Sequence, residues 1–197
     1  MAHQIVELEC PGCGVPITTS TRQCPQCFRE IVISTFNSVN SMSPLDINKQ
    51  ANAYRKAMVN HPDDKTLNMS IAFCYLKLKL YDKALPCFEK AIEDNFDNSE
   101  VYFYAAIALL KGKKAYLTPR PVIDQIEEYL QAAIMIELKG IYYYFWSYIR
   151  YDHHYRKSYM MSPNYRDLLG QAQQAGLSQT DVEELYSILE VQRPDCI

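Results

Sequence analysis

The chain has 197 residues, a formal net charge of −3 and a 48% share of hydrophobic residues. That is enough apolar material to bury a core, and no apolar stretch approaches the roughly twenty residues that cross a bilayer. The total charge is unremarkable, so charge informs by position rather than by sum. At the start, Met1–Cys10 has neither a basic beginning nor an apolar run, and no signal peptide is expected.

Two cysteine pairs follow with the same inner spacing, Cys10-Pro11-Gly12-Cys13 and Cys24-Pro25-Gln26-Cys27, separated by ten residues. So short a segment cannot bury enough apolar surface to fold alone, and a metal must hold it. A tetrahedral ion needs four soft donors converging from two directions, and each C-x2-C turn supplies two of them. Pro11 and Pro25 stiffen the turns. Gly14 permits a positive φ after the first pair, and Phe28 fills that place after the second. The string C-P-G-C-G…C-P-Q-C resembles the short zinc ribbon found near the ends of many bacterial proteins. The resemblance covers about residues 8–30 and departs from the pattern at Phe28. It implies one structural Zn2+ on Cys10, Cys13, Cys24 and Cys27, with no coordination position open for catalysis. Iron in a rubredoxin-like site and two disulfides are the alternatives; a chain without a signal peptide favours metal over disulfides. Between Met1 and Ser43, Arg22 and Arg29 oppose Glu7, Glu9 and Glu30, a net of 2 − 3 = −1. Phosphate contacts need clustered cations, so the ribbon is a poor nucleic-acid site.

Residues 34–43 are Ser/Asn-rich and uncharged and read as a linker. Ser43-Pro44-Leu45-Asp46 then opens a helix, with serine as cap, proline in the first turn and an acid three residues after the cap. Ile47, Ala51, Tyr54 and Met58 give it one apolar face, and residues 60–64 end it. Beyond lie Asn68-x2-Ile71-Ala72-x2-Tyr75 and Tyr81-Asp82-Lys83-Ala84-x3-Phe88-x2-Ala91, with Phe96 further on. This pattern resembles the tetratricopeptide repeat, W-x2-L-G-x2-Y…A-x3-F…P, with Asn68 and Phe96 as departures. Small residues at Ala72, Ala84 and Ala91 would let two antiparallel helices approach closely.

Thirty-four residues after Asn68, Tyr102 begins a second unit with Ala105, Ala106 and Leu109 in register. Its second helix, with Ile126, Leu130 and Ala133, fits only if the turn around Lys111–Pro121 is enlarged. A third unit runs through the aromatic stretch Ile141–Tyr151 and Asn164–Ala175. Ser178-Gln179-Thr180-Asp181 caps a last helix to about Glu190, the end unit that a solenoid needs. The expected fold class is therefore mainly α, a tetratricopeptide-like helical-hairpin solenoid with a small N-terminal β zinc ribbon. Its parts would be a ribbon over 1–34, a linker over 35–43 and the solenoid over 44–192.

The resemblance further implies that the first helix of each unit lines a concave groove. Met69, Phe73, Leu76, Phe103, Tyr104, Ile107, Phe145 and Trp146 fall at groove-facing positions, an apolar lining for a peptide or amphipathic helix of a partner protein. Met69, Phe73, Phe103 and Tyr104 stand where the family's chaperone-tail clamp has cations and asparagine, which disfavours that mode. Coverage of these aromatics by the chain's own helices is the competing expectation. The turns between first and second helices carry Lys77, Lys79 and Lys83, then Lys111, Lys113, Lys114 and Arg120, then Arg150, Arg156 and Lys157 with His153 and His154. A basic edge is expected there, and an acidic edge at Asp63, Asp64, Glu93, Asp94, Asp97 and Glu100. The basic edge with the tyrosine-rich third unit makes nucleic acid the second candidate partner; a second copy of the chain is a third. His153 and His154 read as a surface turn, Glu127-Glu128 as a solvated face, and Cys74 and Cys87 as small hydrophobes within helices. No glycine-rich phosphate loop, nucleophile elbow or histidine–acid metal motif is present. A cytoplasmic, non-enzymatic adaptor that binds another protein is the expected function.

Overall fold

A computed structural model describes residues 5–93 and 97–197. Asp94 and Phe96, counted above in the acidic edge and the repeat pattern, lie outside the described residues. The chain is mainly helical with a small two-stranded sheet near its start, and it divides into two compact units, Met1–Asn95 and Phe96–Ile197. Among the described residues no helix is long and apolar enough to cross a membrane.

In the first unit, strands β1 (Glu7–Glu9) and β2 (Pro16–Thr18) pair antiparallel, with Leu8 opposite Ile17. Each strand buries only its middle residue, the alternation expected of a sheet with one wet face. After the second cysteine turn the chain does not run free. Helix α1 (Asn37–Asn40) occupies the segment expected as a linker. Ile31, Ile33, Phe36 and Val39 are all buried. The polar composition concealed an apolar residue at every second or third position, and those side chains pack inward.

Helix α2 (Pro44–Met58) starts as expected: Ser43 Oγ accepts from the Asp46 amide and donates to the Asp46 carboxylate. Ile47, Ala51 and Tyr54 form its buried face. Helix α3 (Lys65–Lys77), capped by Asp64, packs on α2 and forms a hairpin with α4 (Tyr81–Ile92). Ala72, Ala84 and Ala91 are fully buried, so the small residues sit where backbones approach. Polar groups join the first segment to these helices. The Tyr54 hydroxyl donates to the Ile31 carbonyl at 2.7 Å and accepts from Gln50 Nε2 at 2.7 Å. The Ile33 amide donates to Ser70 Oγ at 3.1 Å, and Ser70 Oγ donates to the Ile33 carbonyl at 3.2 Å. Tyr54→Phe is expected to cost about 1–3 kcal/mol by leaving the Ile31 carbonyl unpaired in a buried site and Gln50 Nε2 with the Glu30 carbonyl alone. A shift in urea midpoint without a change in slope would register it; an unchanged midpoint would show these bonds to be replaceable by water.

In the second unit, α5 (Ser99–Leu110) pairs with α6 (Arg120–Ile136), and α7 (Gly140–Ile149) pairs with α8 (Tyr165–Gln174). The enlarged turn between α5 and α6 holds a short 3-10 turn, Ala115–Leu117. A Cβ on Gly140 would come within 2.4 Å of the Leu177 amide nitrogen and 2.7 Å of the Ala172 carbonyl oxygen, so only glycine lets α7 start against the end of α8. Beyond Ile149 the helix widens into a π-helical turn, Arg150–His154. Helix α9 (Gln179–Leu189) begins with a reciprocal Ser178–Asp181 capping box and packs against α5 and α7, with Val182, Leu185, Ile188 and Leu189 inward.

Candidate metal centre and candidate binding surfaces

The four cysteines converge. Cys10 Sγ lies 3.5 Å from Cys27 Sγ, Cys13 Sγ lies 3.6 Å from Cys24 Sγ, and all four sulfurs fall within 4.8 Å of one another. A tetrahedral ion with bonds of about 2.3 Å sets its sulfurs about 3.8 Å apart, so the donor set fits without rearrangement. The two turns are built alike. The Gly14 amide donates to the Cys10 carbonyl at 2.9 Å and the Phe28 amide to the Cys24 carbonyl at 2.9 Å. Phe28 takes φ 57° where Gly14 takes φ 77°, so the departure from glycine is absorbed in the left-handed region rather than altering the turn. Gly12 is needed for space: a Cβ there would meet Cys27 Sγ at 2.9 Å.

The electrostatics also ask for a cation. Backbone amides of Cys27 and then Gln26 hydrogen-bond Cys24 and draw its pKa down to about 6, against a smaller upward push from desolvation. At Cys13 the Val15 amide likewise pulls the pKa down, but desolvation and the three neighbouring sulfurs together push it up to about 12. Four thiolates this close cannot all ionise without a dication among them.

The expected groove residues are placed as follows. In the first unit Phe73 and Leu76 are buried, with the Phe36 ring 6.4 Å and the Phe88 ring 5.5 Å from Phe73. In the second unit Phe103, Tyr104, Ile107 and Phe145 are buried as well. Phe103 packs edge-on against Tyr104 at 5.0 Å and Phe145 at 5.9 Å and tilted against Tyr142 at 4.8 Å. Helix α9 brings Tyr186 to within 6.3 Å of Tyr144 and 5.9 Å of Tyr148. Burial pushes the Tyr104 hydroxyl well above its ordinary pKa, with the carboxylates of Glu100, Glu184 and Asp181 adding to it. These expected groove positions are therefore buried among the chain's own segments. Only Trp146 is half-buried.

The cations divide differently. Lys79 is exposed in the first unit. In the second, Lys111, Lys113, Lys114 and Arg120 are exposed, and Arg120 pairs with Asp124 at 2.6 Å. Arg156 and Lys157 arrive from the end of the π-turn and sit over the Tyr116 ring at 4.7 and 5.0 Å. Residues forty apart in sequence thus share one basic, aromatic-centred surface. Three sequence expectations are corrected here. His153 and His154 are 2% and 1% exposed rather than on a surface turn, Glu127 is 6% exposed rather than on a solvated face, and Arg150 is 5% exposed rather than at the basic edge. The π-turn carries these residues onto α6, where Glu127 Oε1 meets Arg150 Nε at 2.9 Å and His154 Nε2 at 3.1 Å. A pairing across more than twenty residues leaves no local sequence signal.

These features define a mainly α protein of helical hairpins that carries four converging cysteines able to hold a metal ion. No protein-family model matches the chain, and no curated protein matches it. Two solved chains do match. One, described as MamA MSR-1 C2, is 17% identical over 72% of this chain and 68% of that one, with a TM-score of 0.47.

Proposed function

We propose that the chain is a non-enzymatic adaptor whose four cysteines hold one structural zinc and whose helices present a basic surface to an acidic partner protein. The observation that supports it best is the cluster around Tyr116. Arg156 and Lys157 sit over the exposed Tyr116 ring, and Lys113 and Lys114 are exposed in the turn just before it, whereas the aromatic groove positions are buried. Helix dipoles do not explain cations in the Lys113–Lys114 loop. Clustered cations beside an exposed aromatic suit docking of an acidic surface, with an attraction that salt screens. Zinc is the reading for the cysteines because four soft donors at tetrahedral spacing leave no open position and suit a structural site. Four metal-binding thiolates, with Cys74, Cys87 and Cys196 as thiols, suit a reducing, cytoplasmic setting.

The test is charge reversal. Lys113→Glu with Lys114→Glu is expected to weaken capture of the native partner at least about tenfold at physiological salt, with unchanged helicity and melting. Equal capture by wild type and variant, or capture indifferent to ionic strength, would remove the basic surface from the proposal. Metal analysis should return about one zinc per chain. Nucleic acid is less well supported, since Tyr142, Tyr144 and Tyr148 are each 1% exposed and cannot stack on bases. Purified protein with excess absorbance at 260 nm would favour it instead.

A further inference from the structure

The second unit contains a cavity of about 690 Å3 beside the π-helical turn, a size that accommodates small ligands. Arg150, His154, Arg156 and Arg166 line it together with tyrosines and methionines, and none of its lining residues is acidic. At its inner wall lies a cation whose donors are not all used. The Arg150 side chain is 6% exposed and stacks over Trp146 at 5.6 Å. Its Nε stands 2.9 Å from Glu127 Oε1 but is not aimed at it as a hydrogen bond, and Nη1 has no partner among the described residues. His154 gives Nε2 to the same carboxylate and leaves a buried Nδ1 likewise unpartnered. One carboxylate therefore serves two buried groups, and each keeps an unspent nitrogen. Buried polar groups ordinarily find partners, and those that do not call for an explanation.

The surrounding charges deepen the mismatch. Arg156 is tied to Asp152, and Arg166 lies at the exposed rim against Tyr165. Of the three arginines lining the cavity, Arg150 and Arg156 are paired with Glu127 and Asp152 and Arg166 lies against Tyr165, a surplus of 3 − 2 = +1 among these groups. Desolvation makes the charged form of Arg150 less favourable, and it holds His153 neutral by drawing its pKa down to about 4. An anion entering the cavity would offset the excess charge, and it would reach the unpaired nitrogens, which are sealed from solvent, once Arg150 and His154 turn toward it. Planar guanidinium groups and an imidazole suit the several acceptor oxygens of a phosphoryl group better than a single monovalent ion. The half-exposed Tyr155 and Tyr159 offer flat apolar area to an attached organic part.

We propose that this cavity binds a small phosphate monoester, its phosphoryl oxygens meeting Arg150, His154 and Arg166 and its organic part lying along the tyrosines. Lys113 and Lys114 do not line this cavity, so the site stands apart from the charge-reversal test above. Trp146, the single tryptophan of the chain, sits under Arg150 and reports on it. Titration of the full chain with phenyl phosphate at constant ionic strength is expected to give a saturable change in emission and a calorimetric isotherm, with a dissociation constant below about 1 mM. Arg166→Ala, at an exposed position, is expected to weaken binding about tenfold with no loss of melting temperature. Arg150→Lys is expected to weaken it further by replacing the fork with a point charge. The proposal is overturned by calorimetry that shows no saturable binding up to about 10 mM, by benzoate binding as tightly as phenyl phosphate, or by an Arg166→Ala chain of unchanged affinity.

Discussion

Replacing Cys24 with serine is expected to release the metal and to unsettle the first unit well beyond the cysteine turns. Structural zinc supplies on the order of 10 kcal/mol to the segment that it folds. In many small ribbons that energy stays local, but here the chain leaving the second turn is continuous with the core. Gln23 bridges to Glu30, and Ile31 and Ile33 follow immediately, both buried. Tyr54 of α2 holds the Ile31 carbonyl, and Ser70 of α3 holds both backbone groups of Ile33. Arg29 pairs with Asp46 at 3.0 Å, close to the cap of α2. Loss of the ion frees the turns that aim this segment, and part of the binding energy is then lost from the helices. If a third of it reaches them, the melting temperature of the first unit falls by about 10–25 °C. Thermal denaturation followed at a helical wavelength, for wild type, the Cys24→Ser chain and wild type with chelator, measures this directly. Both treatments should lower the same transition. A chain that loses its metal yet melts unchanged would mean that the cysteine turns are a passive attachment.

The sequence made some of this fold legible and hid the rest for identifiable reasons. Helix starts at Ser43 and Ser178 were readable because a short polar side chain before an apolar-periodic run satisfies the first amides, and each does so here. The cysteine spacing was readable because it must satisfy one coordination geometry. Groove and core were not separable. Helices α3 and α5 are buried over almost their whole length, so residues that face a neighbour and residues that face a concavity carry the same apolar identity. The segment over 35–43 misled through its many serines and asparagines, although Phe36 and Val39 already marked an inward face. The π-turn at 150–154 was hidden most deeply. Five consecutive polar or aromatic residues look like a loop, and only Glu127, far back on α6, turns Arg150 and His154 into interior residues.

Phe103→Ser, chosen because sequence alone placed this ring in a binding groove, is expected to unfold the second unit rather than to abolish recognition. The ring is 4% exposed and lies within stacking distance of three other aromatics on α5 and α7. Removing a buried phenyl group costs about 3–5 kcal/mol in transfer and cavity terms. The serine hydroxyl adds a polar group within an aromatic cluster. Aromatic pairing contributes a further ~0.5–1.5 kcal/mol per lost contact. Against a total stability of about 5–15 kcal/mol, the variant stands near its unfolding threshold. Melting is expected to drop by at least about 12 °C, with loss of helical signal from the second unit. Trp146→Ala is the contrast, because that ring is half-buried and its removal should be milder. If Phe103→Ser instead kept full helicity and melting but lost its partner, the ring would have to be reachable from outside. Helix α9 would then have to move away from α5 and α7 when the partner binds, and the groove would be a binding surface after all.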